Sequence, residues 1–169
     1  LAQNVADLAD SSLPSVLLLN EASKVSRGNL IDLLQIDVTG SSERNAVLEQ
    51  RIAANTVRRD ELLKSYEDRG LIADDEDRRL FQEVQRAKDI MTASRTRAIE
   101  LAREGKAEES RQLQQEAVIP DYEKYLKAID LTVDYKAKLG QSTADAGKAS
   151  ALISVRLIGA ALVLALLLT

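Results

Sequence analysis

Three residues of the early chain, Asn20, Lys24 and Arg27, follow one another at intervals of four and three. On a helix that spacing sets an amide and two cations along one face. Arginine offers carboxylate a planar fork and lysine offers it a point charge, so the chemistry within reach is the capture of a small anion. The same face carries Leu13, Leu17, Ile31, Leu34 and Val38, apolar on both sides of the polar centre. Cations buried within an apolar stripe must be partnered, because an unpaired buried charge is costly. An anionic ligand would serve, and so would Asp or Glu from a neighbouring helix. A second group, "TASRTR" (92–97), contributes Thr92, Arg95 and Thr96. Arg95 stands seven residues after Lys88, on the same helical face, and is a candidate third cation.

Other chemistry is poorly supplied. The chain has no His and no Cys, which removes the usual proton shuttle near neutral pH, the thiolate nucleophile and the commonest zinc ligands. No enzymatic role is expected, and no cofactor or metal. "ADDEDRR" (73–79) offers oxygen ligands of the kind hard cations use. Acids at a helix start also complement its dipole, with Asp74 as the cap, and that simpler reading suffices. The other acidic pairs sit three or four residues from Lys or Arg, as on a solvated helix face. With 23 basic and 27 acidic residues intermixed, net charge −4, a nucleic-acid partner is not expected.

The elements that would position these residues are helices. Ala, Leu, Glu, Lys and Arg abound, while 7 Gly and 2 Pro are few for 169 residues. Gly40, Gly70 and Gly105 punctuate the chain in "VTGSSE", "EDRGLIADDED" and "AREGKAEE", with Ser or Asp ready to cap the next helix. Four helices are predicted, over 3–38, 43–68, 74–103 and 107–169. Short connections make neighbours antiparallel, so the fold class is all-α, an up-down-up-down four-helix bundle. The predicted inward positions are Leu13, Leu17, Ile31, Leu34 and Val38; Leu48, Ile52, Leu62 and Tyr66; Leu80, Val84, Ala87, Met91, Ser94, Ala98 and Leu101; and Val118, Tyr122, Tyr125, Ile129 and Thr132.

The fourth helix outruns any compact bundle. Its end, "SALISVRLIGAALVLALLLT" (150–169), carries one charge, Arg156, near its start. A spanning helix needs about 20 mostly apolar residues, and an arginine near one end reaches the headgroups. The expectation is a four-helix-bundle domain over 1–149 and a transmembrane helix that begins at 150 and is cut partway. Leu1, which lies within a helical pattern, likewise suggests a fragment.

An antiparallel four-helix bundle whose last helix enters the membrane resembles the extracytoplasmic sensor domain of bacterial methyl-accepting chemotaxis receptors. "LPSV" (13–16) and "EGKAEESRQLQQEAVIPDYEKYLKAIDLTVDYKAKLG" (104–140) carry the likeness. The resemblance implies a homodimer, a periplasmic ligand site in the membrane-distal part of the bundle, and a cytoplasmic kinase complex reached through parts beyond Thr169. It also implies that first-helix cations, here Lys24 and Arg27, hold carboxylate. A proline early in the fourth helix, here Pro120, would lie beside the ligand, which marks Val118, Ile119, Asp121 and Tyr122. The first-helix arginines of aspartate receptors are incomplete here, and Asp121 stands where an amino-acid receptor offers a hydroxyl. Aspartate specificity is therefore not implied; three nearby cations, Lys24, Arg27 and Arg95, with few aromatics point to a compact, multiply charged small organic acid, a di- or tricarboxylate such as malate or citrate. Amino-acid receptors, sensor-kinase ectodomains and a ligand-free membrane tether are the alternatives.

Overall fold

The computed structural model describes residues 12–39 and 42–167, with side chains for 12–36, 42–146 and 148–149. Helix α1 spans Leu13–Thr39, α2 Ser42–Asp68 and α3 Asp75–Arg103. The fourth rod is α4, Ala107–Leu113, a π-helical turn at Gln114–Val118, and α5, Ile119–Leu167. No strand occurs among the described residues. The four predicted helices are present over the described residues, the expected parts at 3–11 and 168–169 lying outside them, and this is the expected four-helix bundle.

Two turns show why the chain reverses where it does. Gly70 and Gly105 have φ of +63° and +78°, the left-handed region that glycine enters without a Cβ clash. At the first, Gly70 N–H donates to the Glu67 carbonyl at 2.9 Å and Leu71 N–H to that of Tyr66 at 3.2 Å. At the second, Gly105 and Lys106 N–H reach the carbonyls of Ala102 and Leu101 at 3.1 and 2.9 Å. Both close the helix end by the Schellman pattern, which satisfies carbonyls the helix itself cannot. Asp74 then caps α3, accepting from Asp77 N–H at 2.9 Å, as its position in "ADDEDRR" predicts.

Pro120 deforms the fourth rod one turn upstream. It has no N–H to give, and its ring would meet the carbonyl of residue 116 in a regular helix. The ladder widens over Gln114–Val118, and Ile119 N–H bonds back to the Gln114 carbonyl, five residues away.

The helices associate as two close pairs, α1 with α2 and α3 with α5; α1 also packs on α5, whereas α2 and α3 approach far less. The α1 face turned to α2 and the core is Ser15, Leu19, Ala22, Ser26, Asn29, Leu33 and Ile36. Here the predicted stripe is corrected. Leu13, Leu17, Ile31 and Leu34 are exposed, Leu17 by 69%; Val38 lies outside the described side chains. The inward face combines Leu19, Leu33 and Ile36 with small residues that let the two backbones approach, and apolar residues stand on both sides of α1, so the outward row is not the buried one. On α3 two of the predicted seam positions shift by one residue: Phe81 and Arg95 are buried, and Leu80 and Ser94 only half-buried. Ile52, Tyr66, Val84, Met91, Ala98, Tyr122, Tyr125, Ile129 and Thr132 lie in the core as expected.

A fully buried ion pair ties the fourth helix to the α2–α3 turn. Lys136 Nζ donates to Asp77 Oδ2 at 2.9 Å and to the Leu71 carbonyl at 2.6 Å. Asp77 also accepts from Tyr66 Oη at 2.7 Å and from Ala73 N–H at 2.8 Å. Tyr66 stacks on Phe81, ring centroids 4.7 Å apart, with the Lys136 ammonium 5.7 Å from its ring centre. Both Asp77 oxygens and two of the three ammonium protons have partners, the kind of matching under which a buried pair is tolerated.

Among the described residues no helix is long and apolar enough to cross a membrane. The segment expected to do so, 150–169, is helical as far as Leu167 and lies beyond the described side chains.

Removing one member of the buried pair strands the other. Lys136→Met is expected to cost about 3–5 kcal/mol, measured by urea unfolding, against about 1 kcal/mol or less for Lys124→Met, whose ion pair is exposed on its lysine side.

Candidate functional site

The candidate ligand residues fall into separate neighbourhoods. Asn20, Lys24 and Arg27 do share one face of α1, and that face is exposed. Lys24 reaches only Glu21, at 3.6 Å, and that carboxylate also takes Arg58 at 2.9 Å. Arg27 has no ion pair among the described residues. The residues on either side along this face are the exposed Leu13, Leu17, Ile31 and Leu34, so two apolar ends bracket a cationic centre. The cost expected for cations inside a buried stripe therefore does not arise in a single chain: water solvates them.

The interior holds a different polar group. Arg59 of α2 is 1% exposed. Its Nε and Nη2 donate to Asp60 Oδ1 at 2.9 and 2.7 Å, and its Nη1 donates to Thr92 Oγ1 at 3.3 Å. Arg95, one turn on from Thr92, is 5% exposed, and its Nε and Nη1 have no hydrogen-bond partner. No carboxylate lies within ion-pair distance of it among the described residues. Tyr122 and Tyr125, from α5, meet this cluster. Burial raises the Tyr122 phenol, and the nearby Arg95 charge opposes that rise. Burial pushes Tyr125 up to about 12, with the Ser26 hydroxyl working against it. Neither phenol oxygen has a partner of good hydrogen-bond geometry.

The residues around Pro120 divide further. Val118 is fully buried and Ile119 half-buried. Asp121 is paired with Lys124 at 3.3 Å and lines a groove of about 290 Å³ between α3 and α5, with Glu83 and Arg86. It does not orient Lys24 or Arg27. So Thr92, Arg95 and Tyr122 belong to the interior, Asn20, Lys24 and Arg27 to the α1 face, and Asp121 to a third surface.

Arg59, Asp77 and Lys136 are polar core residues that composition did not flag. Their signal lay in extending the seams. Ile52, Arg59 and Tyr66 are seven apart, and Lys136 is the next step after Tyr125, Ile129 and Thr132. Among the described residues no group of acidic side chains is arranged to hold a metal.

The family model described as a four helix bundle sensory module for signal transduction matches residues 1–151 of the chain. The chain belongs to this family, in agreement with its resemblance to chemoreceptor sensor domains. No curated protein matches it.

The buried phenols give the core an alkaline limit. Tyr125 holds its proton to about pH 12 when folded, whereas an unfolded tyrosine loses it near pH 10. Between these values the unfolded state binds fewer protons, so stability is complete below pH 10 and falls as pH rises toward 12. Denaturant midpoints measured across that window should decline, and Tyr125→Phe should flatten the decline.

Proposed function

We propose that this sensory module is the ligand-binding region of a bacterial transmembrane chemoreceptor. It works as a homodimer joined along α1, and it recognises a small organic acid of two or three carboxylates, such as malate or citrate. The observation that carries the reading is the outward face of α1. Large apolar side chains exposed in a row mark a surface that another protein covers, and here the row is broken at its middle by Asn20, Lys24 and Arg27. A two-fold interface brings the same patch of both copies together. Lys24 and Arg27 of each subunit would then confront their own copies, and like charges at close range repel. An anion of high charge density between them relieves that repulsion. A di- or tricarboxylate meets the demand better than a monoacid, because it offers each subunit a carboxylate for the arginine fork.

The path out of the site is the fourth helix. It continues helical to Leu167, through a sequence with one charge in its last twenty residues. Twenty helical residues cover about 30 Å, the thickness of a bilayer core. The sensor would stand in the periplasm of a bacterial cell with this segment entering the inner membrane. Ligand closing the α1 interface biases a small displacement of α5 against its neighbours, and a cytoplasmic kinase complex reads it. That bias is limited to the difference in ligand affinity between the two arrangements.

Thermal melts of the purified chain with malate, citrate, succinate and aspartate test the reading. A ligand held at a hundred times its Kd adds about 2.7 kcal/mol to stability, a visible rise in Tm. One of the dicarboxylate or tricarboxylate acids is expected to give it, and Lys24→Ala with Arg27→Ala should weaken that acid at least about tenfold. Flat melts across the acids would contradict the proposal, and a rise with aspartate alone would reassign the ligand to amino acids.

A further inference from the structure

We infer that each subunit carries a second anion site of its own, between α2 and α3, which takes a short-chain aliphatic monocarboxylate on Arg95. The site goes beyond the dimer-face reading, since it uses neither α1 nor a second copy. Because α2 and α3 are the two neighbouring helices that approach least, a groove of about 350 Å³ remains between them. Its walls are Ile52, Ala53 and Thr56 on one side and Arg95, Thr96 and Ile99 on the other. That volume falls within the range of small-molecule pockets.

The charges explain what is missing there. Two carboxylates line the groove, and both are already committed. Glu49 of α2 accepts from Arg103 Nε at 3.0 Å, an ion pair that bridges the two helices. Glu100 takes Arg97 at 3.2 Å. The Thr56 hydroxyl is also occupied, donating to the Ile52 carbonyl at 2.6 Å and accepting from Asn29 Nδ2 at 3.4 Å. Arg95 alone remains, nineteen-twentieths buried, with two of its three nitrogens unpartnered. A guanidinium stays charged at any physiological pH, so it cannot relieve its burial by losing a proton. A carboxylate in the groove supplies the counter-charge, and its alkyl body lies against Ile52, Ala53 and Ile99. With one free cation the site matches a single negative charge, which separates it from the multiply charged ligand of the α1 face.

Butyrate is the probe, butyramide its neutral counterpart, and sodium chloride of equal ionic strength the salt control. The purified chain should show a saturable rise in Tm with butyrate and none with the other two. Arg95→Gln and Ala53→Trp, the latter filling the groove from an exposed position, should each weaken butyrate at least tenfold. Lys24→Ala with Arg27→Ala should leave butyrate binding unchanged. Arg95→Gln without ligand should melt at or above the wild-type temperature, because it removes an uncompensated buried charge, whereas an arginine serving only to hold the bundle together would melt lower. The inference is overturned if butyrate gives no saturable rise. It is equally overturned if either groove variant binds butyrate as well as wild type, or if the α1 double variant abolishes the effect.

Discussion

The close approach of α1 to α2 governs the rest of this molecule. Ser15, Ala22, Ser26 and Asn29 line the buried side of α1, and small side chains there bring the helix axes together at the cost of apolar bulk. Leu19, Leu33 and Ile36 fill the core from that side, while further large apolar residues stand on the opposite side of α1, where Leu17 and Ile31 meet solvent. The chain's own core leaves that face uncovered, and the proposed dimer would cover it. The bundle's second consequence lies opposite. With α1 drawn to α2 and α3 drawn to α5, the α2–α3 seam is left open and is bridged by side chains: Arg59 to Thr92, Arg103 to Glu49, and Tyr66 to Asp77.

Among the described residues three cations are sunk into this bundle, and their surroundings differ. Lys136 is fully matched by Asp77 and a backbone carbonyl. Arg59 leans on Asp60, a half-solvated neighbour, and on Thr92. Arg95 has neither carboxylate nor complete hydrogen bonding. The pair at Lys136 fixes the register of the fourth helix against the α2–α3 turn.

The bundle was legible in the sequence because glycine, capping residues and periodicity all pointed the same way. Gly70 and Gly105 occupy left-handed turns, and Asp74 caps α3. The seams of α2 and the fourth helix were read correctly from Ile52, Tyr66, Tyr122 and Ile129. The orientation of α1 was misread because large apolar residues stand on both of its sides, Leu17 and Ile31 outside and Leu19, Leu33 and Ile36 inside, so their spacing alone does not say which side finds a neighbour. Buried charges were missed for a related reason. Arg59 and Lys136 sit at seam positions, yet a search for apolar residues passes over them. The site residues were recognisable as types and not as a set: helical spacing correctly grouped Asn20, Lys24 and Arg27, but only the three-dimensional arrangement separates them from Arg95 and Tyr122.

The dependence on α1 is open to one direct measurement, because the chain contains no cysteine. Single cysteines placed at Leu17 and Ile31 on the outward face of α1, with Val57 on the exposed face of α2 as the reference, can be oxidised in dilute solution. At a two-fold interface a residue near the axis meets its own copy, and a disulfide forms when the Cα atoms come within about 7 Å. Rapid crosslinking at Leu17→Cys or Ile31→Cys, accelerated by the organic acid that raises Tm, with little at Val57→Cys, is the expected result. Crosslinking at both α1 positions no faster than at Val57 would contradict the dimer face and the ligand site built on it.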